Sequence, residues 1–225
     1  MNCRDNWYDF ENYIKEDLND PNGVAIKNIP KAINDLKRFR RAFEIIVCLF
    51  PNYARDRQRE KDIKYKRISE IIANINPKYV INYNYTDTYS RLYNKEIQID
   101  YVHGKANLNG NIDTCNIVFG TSDFEDDEKN KMFHEFTKCY QVKKFGIKFK
   151  FIEWLRDGNY TLHVYGHSFD VTDIDTLKII FESKSIKKIV IWHMEKEKKL
   201  EKLKVTLGNN LYDAIKTKIE LRKIY

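Results

Sequence analysis

Only four cysteines occur in the 225 residues, Cys3, Cys48, Cys115 and Cys139, and none forms a Cys-x-x-Cys pair. That argues against a zinc ribbon. Their wide spacing and the lack of a secretory leader point to reduced thiols in a cytosol. Cys48 lies in an apolar run and reads as core. Glycine is scarce, at eight residues, and no glycine-rich phosphate loop occurs anywhere. The first glycine, Gly23, sits in a Pro-Asn-Gly turn. Prolines number four (Pro21, Pro30, Pro51, Pro77), all in the first third of the chain. Long apolar runs are missing as well. The longest, Ala42 to Phe50, is interrupted by Glu44 and is far too short to span a bilayer, so no membrane partner is expected. Internal repeats and low-complexity tracts are absent too.

What is present suits a folded enzyme or binding domain. Hydrophobic residues make up 42% and aromatics 14%, which excludes a disordered chain. A chain of this length buries roughly 70% of its unfolded surface, so a substantial core is available. Fifteen tyrosines each need a partner for the hydroxyl if buried. The formal net charge is +7. That permits a nucleic-acid or phosphate partner, although a merely basic surface is the simpler explanation.

The first third reads as helices separated by breaks. Pro30 can open a helix at its first turn, where its missing N–H costs nothing. Ile33, Leu36, Phe39, Phe43 and Val47 then recur at helical spacing. A second helix is predicted from Asp62 to Ile75, with Ile68, Ile71, Ile72 and Ile75 as its apolar face. Between Lys31 and Arg67 stand twelve basic and five acidic residues. They form either the solvated face of a helical hairpin or a phosphate-binding surface.

After Pro77 the pattern changes. β-rich runs occur at Tyr79 to Tyr83, Ile97 to Val102, Cys115 to Phe119, Tyr160 to Tyr165 and Lys188 to Trp192. Helices are predicted at Asp87 to Tyr93, Glu128 to Lys144, Phe149 to Arg156, Asp173 to Glu182, Lys196 to Leu207 and Leu211 to Ile219. Such alternation predicts an α/β fold: a mostly parallel, Rossmann-like sheet flanked by helices. The expected organisation is a basic helical region over 1–76, insertion-like, and a Rossmann-like core over 77–225, together one structural unit.

In sheets of this kind, ligands bind at the C-terminal ends of strands. Gly104, Gly120 and Gly166 fall just past predicted strands, where glycine allows a sharp turn or a close ligand approach. Asn84 and Thr86 follow the first run, His103 the second, and His167, Ser168, Asp170 and Asp173 the fourth. Together they describe a polar pocket at one sheet edge. Each also has a structural reading. Thr86 could cap the helix beginning near Asp87, one of Asp170, Thr172 or Asp173 should cap the next helix, and His103 could be a core histidine satisfied by a carbonyl.

Four blocks, in this order, resemble the AbiH family of bacterial abortive-infection proteins. They are Asn84-Tyr85-Thr86-Asp87-Thr88, Tyr101-Val102-His103-Gly104, Ile117-Val118-Phe119-Gly120 and Gly166-His167-Ser168-Phe169-Asp170-Val171-Thr172-Asp173. The last is the most specific. Trp7 to Glu11 and Lys187 to Asn210 also look like the family. The family in turn resembles, more distantly, the sirtuin-like NAD-binding domains of phage-defence hydrolases. That resemblance implies Asn84 and His103 as catalytic residues. It implies Thr86, Gly104, Gly120, Gly166, His167, Ser168 and Asp173 as contacts to NAD or a related nucleotide. Thr86 stands where those hydrolases usually carry Asp. Family members usually open with a strand and a Gly-Asn-Gly-Phe-Asp loop, whereas Met1-Asn2-Cys3 already resembles the family's second segment. A homo-oligomer, or a partner chain supplying the first strand and loop, is therefore a possible arrangement.

The implied activity is NAD glycohydrolysis, with His103 as a base acting on a positioned water, and no metal. Two other readings compete. One is a non-catalytic sensing module, with nucleic acid held by the basic helices and by Lys184, Lys187, Lys188, Lys196, Lys198 and Lys199. The other is a metal-dependent nuclease using His103, His167, Asp170 and Asp173, whose spacing matches no known metal motif.

Overall fold

The fold is seen in a computed structural model, which describes residues 7–20, 22, 27–58, 63–124 and 126–224. Cys3, Pro21, Gly23 and Asp62 lie outside the described residues. The chain divides into two compact units. One comprises residues 1–50, 84–86 and 103–148, the other 51–83, 87–102 and 149–225. The division does not follow residue 76, because the chain passes between the units several times.

The first unit is built from helices and buried irregular chain. Helix α1 spans Trp7–Asn19 and α2 spans Ile29–Gln58. Asn28 caps α2 with its side chain, taking the Lys31 N–H at 3.1 Å, and Pro30 occupies the first turn as expected. α2 continues helical through Pro51 to Gln58. The apolar face of α2 behaves as its spacing predicts. Leu36 and Ile33 pack with Leu18, Phe133 and Phe136. Phe43, Phe39 and Val47 pack with Cys115, Ile117 and Phe119.

Two further departures fall in this unit. The run Cys115 to Phe119 is buried but forms no strand. Its backbone is satisfied locally: the Val118 N–H donates to the His103 carbonyl at 2.9 Å. The Gln141 amide brackets Phe119, accepting its N–H and donating to its carbonyl, both at 2.9 Å. A buried polar side chain thus replaces a neighbouring strand. The helix expected over Glu128 to Lys144 is split. Its parts are α5 (Asp127–Phe133), a 3₁₀ turn (His134–Phe136) and α6 (Lys138–Lys144), and Thr137 starts the last of these as an extended N-cap.

The second unit carries all five strands among the described residues, and every pairing is parallel. Helix α3 (Ile63–Ile75) precedes β1 (Tyr79–Asn82), α4 (Thr88–Leu92) and β2 (Gln98–Tyr101). β1 pairs with β2. The short α7 (Phe151–Trp154) then leads to β3 (Tyr160–Val164), α8 (Ile174–Glu182), β4 (Ile186–His193), α9 (Lys196–Ile215) and β5 (Ile219–Lys223). The second sheet has the order β3-β4-β5. The α/β expectation therefore holds, with two small parallel sheets in place of one.

Strand pleating explains the core. Leu162, Ile189 and Ile219 stand level across the three strands, as do Val164, Ile191 and Leu221. All six turn to the same side and pack with Leu177, Ile180 and Phe181 of α8 and Leu203 and Leu207 of α9. Glu195 precedes α9, which is kinked at Gly208 (φ 76°), where the sequence suggested two helices. The expected continuation of the second helix to Ile219 is overturned. After a 3₁₀ turn at Lys216–Lys218 the chain becomes β5, because Ile219 and Leu221 complete the sheet side of the core.

Candidate functional site

The strand ends assemble a tied-down loop in the second unit. Leaving β3, the chain turns at Gly166 (φ 70°), whose missing side chain meets no neighbour within 4 Å. Glycine is used there for its conformation, not for space. Three residues on, Phe169 adopts φ 58° although it is bulky and fully buried. A left-handed phenylalanine is strained and persists only where its surroundings over-determine it, a condition concentrated at functional sites.

The surroundings can be named. The Phe169 N–H donates to His167 Nδ1 at 2.9 Å. Nδ1 is thereby an acceptor, so the neutral imidazole carries its proton on Nε2. Nε2 lies 3.5 Å from Asp173 Oδ2, and both side chains are about nine-tenths buried. The His167 ring stands edge-on to Tyr83, with centroids 4.3 Å apart. The Tyr83 hydroxyl donates to Thr176 Oγ1 at 2.9 Å, and Thr176 donates to the Asp173 carbonyl at 3.1 Å. Burial, then the nearby Asp173 and Asp100 carboxylates, push the Tyr83 phenol above its usual range, against the lowering effect of Thr176.

Helix α9 clamps the same loop from above. Lys199, Leu203 and Thr206 share one helix face at spacings of four and three. Lys199 Nζ donates to the His167 carbonyl and lies 4.9 Å over the Phe169 ring. Thr206 Oγ1 donates to the Phe169 carbonyl at 2.6 Å, inside the core. Burial, with Lys202 adding like charge, lowers the Lys199 pKa to about 8.

The acidic residues divide their work. Asp170 caps the 3₁₀ turn Val171–Asp173, its carboxylate accepting the Thr172 N–H at 3.0 Å. Asp173 precedes α8 without capping it through its side chain, which faces His167. Ser168 is half-buried and Gly166 exposed.

The remaining expected residues lie in the first unit. His103 is buried, and its ring is tilted against Tyr85 at 6.1 Å. Asn84 is exposed and Thr86 half-buried. Thr86 does not start α4; Asp87 holds that position, without a side-chain cap bond. At Gly104 (φ 81°) an added Cβ would meet the Asn116 carbonyl oxygen at 2.1 Å, and at Gly120 the Phe136 carbonyl oxygen at 2.1 Å. The Gly120 N–H donates to Glu11 Oε1 at 3.1 Å, and Glu11 pairs with Lys138 at 3.0 Å. In both cases the close approach to glycine is made by this chain's own backbone.

Among the described residues, no three His, Cys, Asp or Glu side chains group as a metal site, and no helix is long and apolar enough to cross a membrane.

The comparison with known families bears on this arrangement. A model of the family described as bacteriophage abortive infection AbiH matches residues 2–195. The chain belongs to the AbiH family. No curated protein and no solved structure matches it. The family match takes in parts of both units and all four motif blocks, including the Gly166 to Asp173 loop of this AbiH chain. It ends at Glu195, the residue before α9. Lys199 and Thr206, which hold the loop, therefore lie beyond the matched range. Neither role is visible in a motif: the Lys199 side chain reads as one of many surface lysines, and Tyr83 as one strand tyrosine. Only the four- and three-residue spacing of Lys199, Leu203 and Thr206 hints that they act together.

Proposed function

We propose that this AbiH chain acts in abortive infection by binding a nucleotide, NAD or a close relative, at the C-terminal end of β3. The observation that carries this is the loop Gly166 to Asp173. It sits where parallel α/β sheets bind ligands. Its backbone is strained at Phe169, and the His167 and Phe169 carbonyls are held by α9. A loop of ordinary connecting duty has no need of that constraint. Gly166 and Ser168 supply the ligand-facing backbone and hydroxyl. His167 and Asp173 are positioning residues, since both nitrogens of the imidazole are already engaged.

The chemistry that suits such a ligand is hydrolysis of the nicotinamide–ribose bond. Water adds to the ribose carbon as nicotinamide departs with the bonding electrons, and the water's proton goes to a base. Asn84 and His103 carry the catalytic assignment on the strength of the resemblance alone. Calorimetry with NAD and ADP-ribose tests the binding, with saturable one-to-one uptake expected. Phage plating on cells carrying His103→Ala tests the base, and loss of protection is expected. Absence of binding to either nucleotide, together with full protection by His103→Ala, would overturn the reading.

A further inference from the structure

We infer that the first turn of α9, together with Lys199 and His193, forms an oxyanion subsite for a phosphoryl group at the rim of β3 and β4. This deepens the nucleotide reading, but it rests on separate residues.

The register places these groups together. Val164 of β3 is level with Ile191 of β4, so two residues further Gly166 and His193 reach the same rim. Ile189 and Ile191 face Leu203 and Leu207 of α9, and pleating turns His193 to that same side. His193 is nine-tenths buried, and its Nδ1 has no partner among the described residues. A buried ring nitrogen of this kind needs a partner, and a protonated Nδ1 would donate to an anion.

Helix α9 begins three residues later, at Lys196. Glu195 precedes it with no side-chain cap bond. Its first turn carries Lys196, Lys198 and Lys199 against the single Glu197. Cations at the N-terminal end of a helix oppose the dipole, and free N–H groups there favour an anion. Lys198 is occupied at the surface by Glu195, at 2.5 Å. Lys199 is turned inward instead, onto the His167 carbonyl, with like charge from Lys202 and no carboxylate partner among the described residues. An ammonium has three donors, and the carbonyl takes one. The uncapped turn, the inward lysine and the orphan imidazole nitrogen are three separate observations, and one bound phosphoryl group satisfies all of them.

The test uses the full chain, with inorganic phosphate, pyrophosphate and NAD as probes in calorimetry. Pyrophosphate should bind at one site. Lys199→Met and His193→Phe should each weaken it by about tenfold or more, the effect of one hydrogen bond to a charged group. Lys199→Arg and His193→Asn, which restore a donor near the same place, should stay within a few-fold of the parent. Should a variant fail to fold, the His193 ring signals of the unaltered chain, followed by NMR during pyrophosphate titration, must shift. Pyrophosphate binding without NAD binding upholds the subsite and sinks the nucleotide reading. NAD binding that is indifferent to Lys199→Met and His193→Phe sinks the subsite and leaves that reading intact. No saturable pyrophosphate uptake, or unmoved His193 signals, also overturns the subsite.

Discussion

Replacing Thr206 with valine removes one hydroxyl and almost nothing else. The two side chains have the same shape, so no cavity opens. The lost bond is short, 2.6 Å, and joins two buried residues. Without it the Phe169 carbonyl has lost its hydroxyl donor inside the core. A buried acceptor stripped of its partner costs about 1–3 kcal/mol. Phe169 is also held at φ 58°, a conformation that disfavours a bulky residue by roughly 1–2 kcal/mol, so any relaxation of the loop starts there. The expected loss is therefore about 2 kcal/mol, within a range set by how far the loop can find another donor. Urea unfolding followed by tryptophan fluorescence reads it, because Trp154 and Trp192 both belong to the second unit. Thr206→Ser keeps the hydroxyl and loses a single methyl, and should cost about 1 kcal/mol or less. If valine is tolerated to within about 0.5 kcal/mol, or serine is as harmful as valine, the clamp is not what holds the loop.

Three further outcomes follow from the same structure. Gly166→Ala should cost only the left-handed backbone penalty, about 1 kcal/mol, whereas Gly104→Ala adds a clash at 2.1 Å with backbone and should cost several times more; thermal unfolding of the pair compares them. Lys199 titrates near pH 8 in the folded chain against an ordinary 10.5, so the folded state releases its proton first as pH rises. The parent should therefore gain stability relative to Lys199→Met between about pH 8 and 10.5, by no more than about 1–2 kcal/mol once solvent screening is allowed for; a flat difference across that window refutes the assignment. Burial raises the Cys115 thiol to about 11, with the neighbouring Glu44 adding to the effect, so alkylation at pH 8 should spare Cys115 in the folded chain while reaching half-buried Cys48 and Cys139. Peptide mass mapping shows whether that order holds.

Much of the fold is legible in the sequence. The apolar stripe of α2 and the Ile189-Val190-Ile191 run of β4 announce themselves by periodicity, which is a local property. The readings that failed did so for non-local reasons. Cys115 to Phe119 has strand composition, but Gln141 supplies its hydrogen bonds. Ile219 reads as the end of a helix, and the alternation of Ile219 to Arg222 is too short to stand out as a strand. Only the open place beside Ile189 and Ile191 makes it a strand.

For the candidate site the division is similar. By itself the sequence determined the family, the parallel α/β class and the strand-end position of Gly166 to Asp173, because motif and periodicity are written in consecutive residues. It also offered Asp170, Thr172 and Asp173 as candidates to start the next helix, without choosing among them. Tertiary structure made that choice. Asp170 caps a turn because its carboxylate reaches the Thr172 N–H two residues on. Asp173 faces His167 because Phe169 is held left-handed by a helix more than thirty residues away. Hydrogen-bond partners that distant leave no period in the sequence, so the work of Lys199, Thr206 and Tyr83 becomes visible only once the chain has folded.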